Sequence, residues 1–505
     1  MKRIYILTLA LFVVVFFTNI NCNKKLLNIP PPTASELTYF TSEAAFKNAI
    51  MGAYASLTDF YSSSNESGSG VWEGEVTWLP GDDLTNGMAQ PYEDFNGINP
   101  SGGPLGDFFN SCYLLLGRTN LVLKQLETVK EGVFTTSGLQ NSNIGEMLFL
   151  RAFGHYQLWN VFGTAPLDTI VVTSTSQLNS PSSTGTQLLD QAISDLSQAA
   201  TLLPASWDAA DLGRVTSNAA YGLLGKCLVF RASVNKSTAD YQAALTAFSM
   251  IKGVSLTANF EDNFDVNKEN NQESLFEFQA GAPIAGLGAT NAWLSNDQCN
   301  CGVASSYWQA FENGAGTYMG GYLYYATAKL VGIFDPADPR FPLTVNPADS
   351  TITKYILNDQ PEGAINSLNN VRILRYADVL LLEAEATLQS GGSPANAIAL
   401  INQVRARARN MVSGGTVPAD LDVTETDPTT IMQWIMDERL RELACEGARW
   451  YDLRRWALGG TVTLNNAFFS SQEPQRMTYD AHYLYFPIPT SETDKNPNIK
   501  QNPGY

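Results

Sequence analysis

The sequence has little of the side chains that most enzymes use for acid–base or nucleophilic catalysis. It contains two histidines, His155 and His482, among 505 residues. The first lies in an apolar helical stretch and the second precedes a strand-like segment. Neither has partners at a spacing typical of a Ser/His/Asp or Cys/His site. The chain also lacks a glycine-rich phosphate loop and an HExxH helix. We therefore expect no enzyme activity, no cofactor and no metal site.

Basic side chains are also scarce. Lysine and arginine together number 31 against 49 acidic residues, and the formal net charge is -18 at pH 7. Proteins that bind nucleic acid concentrate lysine and arginine on one face to neutralise phosphates. This sequence has no such excess, so we expect no nucleic-acid partner.

Cysteine is too rare to supply a disulfide framework for a chain of this length, because only six are present. Cys112, Cys227 and Cys445 fall in predicted helices among apolar residues and are expected to be small buried side chains. Cys299 and Cys301 are separated by one residue in a predicted loop. The sequence leaves open whether these two form a disulfide.

The N-terminal apolar run, residues 4–17, is too short to span a bilayer comfortably. It follows two basic residues and precedes Cys22, an arrangement typical of an export signal whose cysteine accepts a lipid. We predict a signal peptide at residues 1–21 and a lipid-anchored tether at residues 22–37. Ordinary secretory cleavage is the alternative, because Asn19–Asn21 departs from the usual lipid-attachment motif.

The segment Asp437–Trp456, DERLRELACEGARWYDLRRW, carries ten charged residues among twenty, against 16% charged residues in the whole chain. Leucines, tryptophans and a tyrosine are interleaved with these charges, so a pair of helices here must bury them, and buried charges have to be paired. Three i,i+3 spacings predict the ion pairs Arg439–Glu442, Arg449–Asp452 and Asp452–Arg455. We predict a buried ion-pair cluster that locks a C-terminal helical pair. A catalytic acid/base cluster is the alternative.

Helical periodicity is found in pairs of segments along much of the chain. The clearest pair lies within Tyr376–Ala408, where Ser393 is predicted to cap the second helix and Pro394 to take its first position. Asp427 is predicted to cap the last long helix. Helical pairs of this length are the unit of tetratricopeptide-like repeats. The sequence therefore predicts a mainly α fold, a superhelix of tetratricopeptide-like helical pairs.

Two irregular, ring-rich regions interrupt the helical pattern: the loop 62–106 and the lobe 256–370. Aromatic rings stack on the C–H faces of sugars while amides and acids bind the hydroxyls, and long loops are frequent binding sites. A pocket made from both regions would be a shallow aromatic platform. The predicted ligand-binding residues are Trp72, Trp78, Asp83, Tyr92, Trp293, Asp297, Trp308 and Tyr322.

The charged segment resembles the C-terminal signature of the SusD/RagB family of nutrient-binding outer-membrane lipoproteins. Three further stretches agree with this family: VRILRYADVLLLEAEA at 371–386, GEMLFLRAFGHYQLWNVFGTAPL at 145–167 and FPIPTSETDKNPNIKQNPGY at 486–505. The resemblance implies about four helical pairs, with an irregular lobe that helps to form the ligand site. It also implies a lipid-anchored outer-membrane protein at the cell surface that binds an oligosaccharide or another nutrient. Its partner would be a SusC-like TonB-dependent transporter.

The resulting division of the mature chain has three parts. Residues 38–255 form an N-terminal helical region that includes the aromatic loop, residues 256–370 the ligand-binding lobe and residues 371–505 the C-terminal signature region. Two other functions remain open. One is an all-helical glycoside hydrolase in which Asp82 or Asp83 opposes Asp297, which requires carboxyl groups that flank a cleft. The other is a repeat adaptor that binds a peptide in its superhelical groove.

Overall fold

The computed structural model describes residues 39–61, 73–86, 91–101, 103–280, 312–313, 317–318, 324–355, 369–470 and 478–505. Helices dominate these ranges. In chain order the helices are α1 Glu43–Ala55, α2 Thr58–Tyr61, α3 Glu73–Trp78, α4 Pro91–Asp94, α5 Pro104–Glu127, α6 Leu139–Phe162, α7 Gln187–Leu202, α8 Ser217–Asn235, α9 Thr238–Ser249, α10 Ala328–Ile333, α11 Phe341–Thr344, α12 Tyr376–Gln389, α13 Pro394–Asn410, α14 Pro428–Leu443, α15 Arg449–Leu458, α16 Asn466–Ser470 and α17 Thr490–Lys495.

Strands in the described residues are short and form two-stranded ladders. They are β1 Leu84–Asn86, β2 Ser274–Phe278, β3 Glu312–Asn313, β4 Thr317–Tyr318, β5 Tyr324–Ala326 and β6 Val371–Arg375. All three ladders, β1–β5, β2–β6 and β3–β4, are antiparallel. Two of them join strands that lie far apart in the sequence.

Among the described residues, eight helices pack in succession and form the scaffold. Contacts run from α5 to α6, α7, α8 and α9, then to α12, α13 and α14. The apolar surface of α6 explains its central place in this succession. The helix is buried on nearly all sides from Gly145 to Phe162, so other helices must cover it on both sides. The mainly α, tetratricopeptide-like arrangement of four helical pairs is confirmed.

The predicted helix starts of the C-terminal region are confirmed. Ser393 occupies the N-cap position of α13 with Pro394 at the first position, but the Ser393 side chain makes no capping hydrogen bond. Asp427 caps α14, where its carboxylate accepts hydrogen bonds from the backbone N–H groups of Thr429 and Thr430. Such a cap satisfies amide donors that have no partner within the helix.

The irregular lobe is inserted between two helices that pack against each other, α9 and α12. Strand β2 near the start of the lobe pairs with β6 at its end, and Phe278 lies opposite Val371. This ladder returns the chain to the scaffold directly before α12. Within the described ranges no helix is both long and apolar enough to cross a membrane.

Candidate functional site

The β1–β5 ladder joins the two ring-rich regions that the sequence analysis singled out. Leu84 lies opposite Ala326, Thr85 opposite Tyr325 and Asn86 opposite Tyr324. Because the strands are antiparallel, the chain that leaves β1 after Asn86 and the chain that enters β5 before Tyr324 are at the same end of the ladder. The ladder therefore anchors both regions at one place on the scaffold.

Residues that follow β5 strengthen this junction. The backbone N–H of Thr327 donates to the carbonyl oxygen of Asp83 over 3.1 Å, and the Thr327 hydroxyl donates to the carbonyl oxygen of Asp82 over 2.7 Å. The same hydroxyl accepts a hydrogen bond from Leu330 and caps α10. One buried side chain thus ties the turn before β1 to the helix after β5.

The two faces of the ladder differ in exposure. Leu84, Asn86, Tyr324 and Ala326 are buried, whereas the cross-strand partners Thr85 and Tyr325 are half-buried. Alternate side chains of a strand point to opposite faces, so Thr85 and Tyr325 share the more accessible face. This face offers a hydroxyl next to an aromatic ring.

Glu93 in α4 fixes the end of β1. Its carboxylate accepts a hydrogen bond from the Thr85 hydroxyl and another, 2.8 Å long, from the backbone N–H of Asn86. Glu93 is only 2% exposed. Its carboxylate is therefore used within the protein and is not offered to a ligand.

Asp82 is the buried charge beneath the ladder. Arg449 of α15 donates two hydrogen bonds to its carboxylate, one of them 3.0 Å long, and the Lys329 ammonium lies 2.6 Å from Oδ2. Burial alone would raise the pKa of Asp82, but Arg449 and Lys329 more than offset this effect and hold its pKa well below the usual range. A carboxylate that is fully buried and permanently ionised cannot serve as a general acid.

Asp83 is buried beside it but has a different environment. Its Oδ2 accepts a hydrogen bond from the backbone N–H of Cys445 over 2.9 Å. Burial raises the pKa of Asp83 to about 6, although the hydrogen bond from Cys445 acts in the opposite direction. The side chain holds the turn between α14 and α15 against the segment before β1. This arrangement gives Asp82 and Asp83 a structural role and does not support the hydrolase alternative at these positions.

The charged segment Asp437–Trp456 forms α14, a turn and α15, and its charges are buried and paired as predicted. One of the three predicted i,i+3 pairs forms, because Arg455 lies 2.9 Å from Asp452. The other two predictions are wrong. Arg439 binds Asp378 and Asp452 over 2.8 and 2.7 Å, and Arg449 binds Asp82. Partners from distant segments replace the neighbours on the same helix.

Glu442 is the centre of this network. Its carboxylate accepts hydrogen bonds from the guanidinium groups of Arg340 over 2.9 Å, Arg375 over 2.7 Å and Arg407, and it is completely buried. Burial alone would raise its pKa, but Arg407, Arg375 and Arg340 lower the pKa of Glu442 well below its usual range. The network therefore holds three separate segments on α14.

Three of the predicted ligand-binding residues lie in the core. Trp78 is 7% exposed, Asp83 is 2% exposed and Tyr92 is 4% exposed. The Tyr92 ring packs on Phe486, with 5.7 Å between ring centroids. A sugar needs an exposed ring face, so the structure does not support direct ligand contact by these three side chains.

The other predicted ligand-binding residues lie outside the described residues. They are Trp72, Trp293, Asp297, Trp308 and Tyr322. The predicted lipidation site Cys22 also lies outside the described residues.

The predicted roles of the scaffold cysteines and of one histidine are confirmed. Cys112, Cys227 and Cys445 are buried thiols, whereas Cys299 and Cys301 lie outside the described residues. His155 is fully buried in α6, where burial lowers its pKa to about 3 and keeps the ring neutral.

The part of the chain that the structure describes contains no group of side chains that could hold a metal ion.

A separate groove of about 610 Å³ lies on the helical scaffold. It runs along the first half of α14 and is bordered by Gln389 and Thr461, with Met432, Trp434 and Met436 on its wall. The residues that line it carry no ionisable side chain. A groove without ionisable side chains is compatible with the peptide-adaptor alternative.

Sequence reasoning missed Thr85, Glu93, Thr327 and Lys329. The strands Leu84–Asn86 and Tyr324–Ala326 are three residues long, too short for a periodic pattern to distinguish them from loop. The threonines carried no motif of their own. Asp82 and Asp83 stand next to each other before β1, but their position in the sequence does not indicate that Arg449 binds Asp82.

The burial of Glu75 can be tested through the pH dependence of the protein's stability. It lies in α3, is 3% exposed, and burial raises its pKa to about 7 from 4.5. Because the folded pKa is the higher one, the free energy of unfolding should fall as the pH rises from about 4.5 to about 7. We expect Glu75→Gln to stabilise the protein at pH 8 by on the order of 2 kcal/mol. The gain should disappear near pH 4.5.

Urea unfolding at pH 8 and pH 4.5, followed by circular dichroism, measures this difference. Glu131→Gln is the matched control, because Glu131 is exposed in a loop. It should change stability by less than about 0.5 kcal/mol at either pH. A destabilised Glu75→Gln variant at pH 8 would show that the carboxylate is needed in its ionised form.

Comparison with known proteins gives consistent matches along the chain. The family model described as "SusD family" matches residues 242–505, and the model described as "Starch-binding associating with outer membrane" matches residues 40–228. SusD-like protein P2 of Formosa agariphila is 25% identical over 520 residues, which cover 98% of this chain and 99% of that relative.

Solved structures of similar proteins cover nearly the whole fold. A SusD superfamily protein from Bacteroides vulgatus has a TM-score of 0.72 and 26% identity, over 93% of this chain and 100% of that one. Surface glycan-binding protein A from Bacteroides fluxus has a TM-score of 0.73 and 22% identity, over 92% of this chain and 100% of that one. At 22% identity the second likeness shows the fold alone.

Proposed function

This chain belongs to the SusD family, and on that premise we propose that it binds an oligosaccharide at the outer membrane and delivers it to a SusC-like TonB-dependent transporter. The resemblance predicted from the charged segment is confirmed by the family model that matches residues 242–505. The second matching model describes starch-binding proteins associated with the outer membrane. This description supports a glycan as the ligand.

The β1–β5 ladder is the observation that supports the location of the ligand site. It fastens the loop 62–106 and the lobe 256–370 together at one end of the scaffold. We propose that rings from both regions, Trp72, Trp293, Trp308 and Tyr322, bind the sugar together with Asp297. The half-buried pair Thr85 and Tyr325 borders this site. Ring stacking with polar contacts at the edges accounts for binding without chemistry.

We propose that the protein does not hydrolyse its ligand. Asp82 and Asp83 are buried, and Asp82 is engaged by Arg449 and Lys329. A glycoside hydrolase needs two carboxyl groups with access to the scissile bond. One of the two matching family models is described as starch-binding, which agrees with this proposal.

The anchoring and organisation follow the sequence analysis. We propose that residues 1–21 are removed, that Cys22 carries the lipid and that residues 22–37 connect it to the folded part. The helical region 38–255 and the signature region 371–505 then support the lobe 256–370. With the lipid in the outer leaflet, the ligand site would face the cell exterior.

The binding site can be tested by substitution of the proposed stacking rings. We expect Trp72→Ala and Trp308→Ala each to weaken binding of the recognised glycan by about tenfold or more, because buried aromatic contacts carry most of the binding energy in such sites. Isothermal titration calorimetry against a panel of soluble polysaccharides, with affinity electrophoresis for weak ligands, measures this effect.

Trp434→Ala is the matched control, because Trp434 lies on the scaffold groove and not at the ladder. It should leave glycan binding unchanged. Loss of glycan binding in Trp434→Ala alone would contradict the proposed location and place the ligand site at the groove. Release of reducing ends by the wild type that Asp297→Asn abolishes would show that the protein is a hydrolase.

A further inference from the structure

The two regions that meet at the ladder contain no basic side chain over long stretches. No lysine, arginine or histidine occurs between Lys47 and Arg118, or between Lys268 and Lys329. These stretches comprise 70 and 60 residues. At the average frequency of 31 lysines and arginines in 505 residues, about eight would be expected in 130 positions. The lack of basic side chains is therefore specific to these two stretches and does not follow from the composition of the whole chain.

The basic side chains that the fold brings close to the ladder are already paired. Lys329 lies 2.6 Å from the carboxylate of Asp82, which also binds Arg449. Lys354 follows the bridge between Tyr325 and Thr351, but its ammonium is buried and bound to Glu446 over 2.8 Å. Each of these three cations is therefore already paired with a carboxylate of the protein.

The acidic side chains of the ladder are also used internally. Glu93 accepts hydrogen bonds from Thr85 and Asn86, Asp83 accepts one from Cys445, and Asp82 is neutralised by its two cations. The carboxylates therefore do not form a surface that would select a cationic ligand. The accessible face of the ladder carries the Tyr325 ring and the Thr85 hydroxyl, and it carries no charged side chain.

Resting on the proposed function, we propose that the ligand is an uncharged glycan and that glycans bearing sulfate or uronate groups are rejected. Sulfate and carboxylate groups are recognised by arginine and lysine through charge-assisted hydrogen bonds. Without such partners, the removal of an anion from water on binding carries a large free-energy cost. The net charge of -18 adds a repulsion that reduces the encounter rate of polyanions.

The test compares polysaccharides that differ in charge. Soluble starch and laminarin serve as neutral probes, alginate as a uronate probe and carrageenan as a sulfated probe, each titrated at low and at high NaCl. We expect binding to a neutral probe, with a Kd that changes less than about twofold with salt, because no ion pair is screened. The anionic probes should not bind at tenfold higher concentration.

The outcomes separate this inference from the proposed function. Binding of alginate or carrageenan that weakens about tenfold or more in high salt overturns the charge assignment but leaves glycan binding intact. Binding of neither class contradicts the proposed function itself. Binding of a neutral probe, independent of salt, supports both.

Arg476 provides an internal control. It lies outside the described residues, two positions before Thr478, whose hydroxyl donates to the carbonyl oxygens of Asp94 and Phe95 over 2.6 and 3.0 Å. Of the basic residues outside the described ranges, Arg476 is the nearest in sequence to a residue that contacts the loop 62–106. Arg476→Gln should leave the affinity for the neutral probe unchanged. An anionic probe that binds the wild type but not Arg476→Gln would identify the cation and refute the proposal.

Discussion

Glu442→Gln is expected to destabilise the protein by about 3 to 5 kcal/mol at pH 7, the cost of removing one partner from a buried ionic network. Glu442 is completely buried and accepts hydrogen bonds from Arg340, Arg375 and Arg407. Glutamine has nearly the same shape but carries no charge. The three guanidinium groups would then lose a shared counter-ion in a place that water does not reach.

The pH dependence gives this prediction a second readout. The folded pKa of Glu442 lies below the value of 4.5 that the unfolded chain should have. The stabilisation is therefore fully present above about pH 4.5 and is lost as the pH falls below that value. The difference between wild type and Glu442→Gln should shrink in acid. Urea unfolding followed by circular dichroism at pH 7 and at pH 4 measures both quantities.

An exposed ion pair is the matched control. Glu492 lies 3.1 Å from Lys495, whose side chain is 72% exposed. Glu492→Gln should change the free energy of unfolding by no more than about 0.5 kcal/mol, because water screens exposed pairs. If Glu442→Gln were as mild as this control, the network would contribute little to stability and the arginines would have to be hydrated.

Asp82→Asn is the second substitution with a large expected effect, about 3 to 5 kcal/mol. It leaves Arg449 buried without its carboxylate partner, and Lys329 loses the same partner. The backbone of Asp82 and Asp83 accepts the hydrogen bonds of Thr327. We therefore expect the ladder to loosen as well, and glycan binding to weaken in the variant that remains folded.

Hydrogen exchange locates the effect. Peptides that cover 82–86 and 324–327 should exchange faster in Asp82→Asn, while peptides from α6 should exchange as in the wild type. Lys329→Met is the graded control, since Lys329 is partly exposed and the bond between Asp82 and Arg449 is kept. It should cost about 1 kcal/mol. Wild-type stability and exchange in Asp82→Asn would contradict the structural role assigned to this carboxylate.

The burial of the charged segment was predictable, but its pairing was not. Aromatic and aliphatic residues between the charges require that the arginines be buried, and buried charges need partners. Of the three predicted pairs only Asp452–Arg455 forms within one helix. Arg449 and Asp82 are 367 residues apart in sequence, and Glu442 and Arg375 are 67 apart. Nothing in the local spacing distinguishes these partners from other acids and bases.

In the ring-rich regions, the sequence alone did not show which aromatic residues are buried. Their aromatic content predicted a binding surface, yet Trp78 and Tyr92 are core residues. Composition does not say which ring faces the interior, because stacking on a sugar and packing in a core use the same apolar face. The ladder between Leu84–Asn86 and Tyr324–Ala326 was not visible in the sequence either, although it brings the two regions together.

The sequence alone determined the helical scaffold, the capped starts of its last helices and the need to neutralise the buried charges. These features depend on side chains within a few positions of one another, where helix geometry fixes the contacts. The tertiary structure decided which carboxylate each arginine binds, which rings are buried and that β1 meets β5. Those contacts join segments that are tens to hundreds of residues apart, and their choice depends on the packing of the whole scaffold.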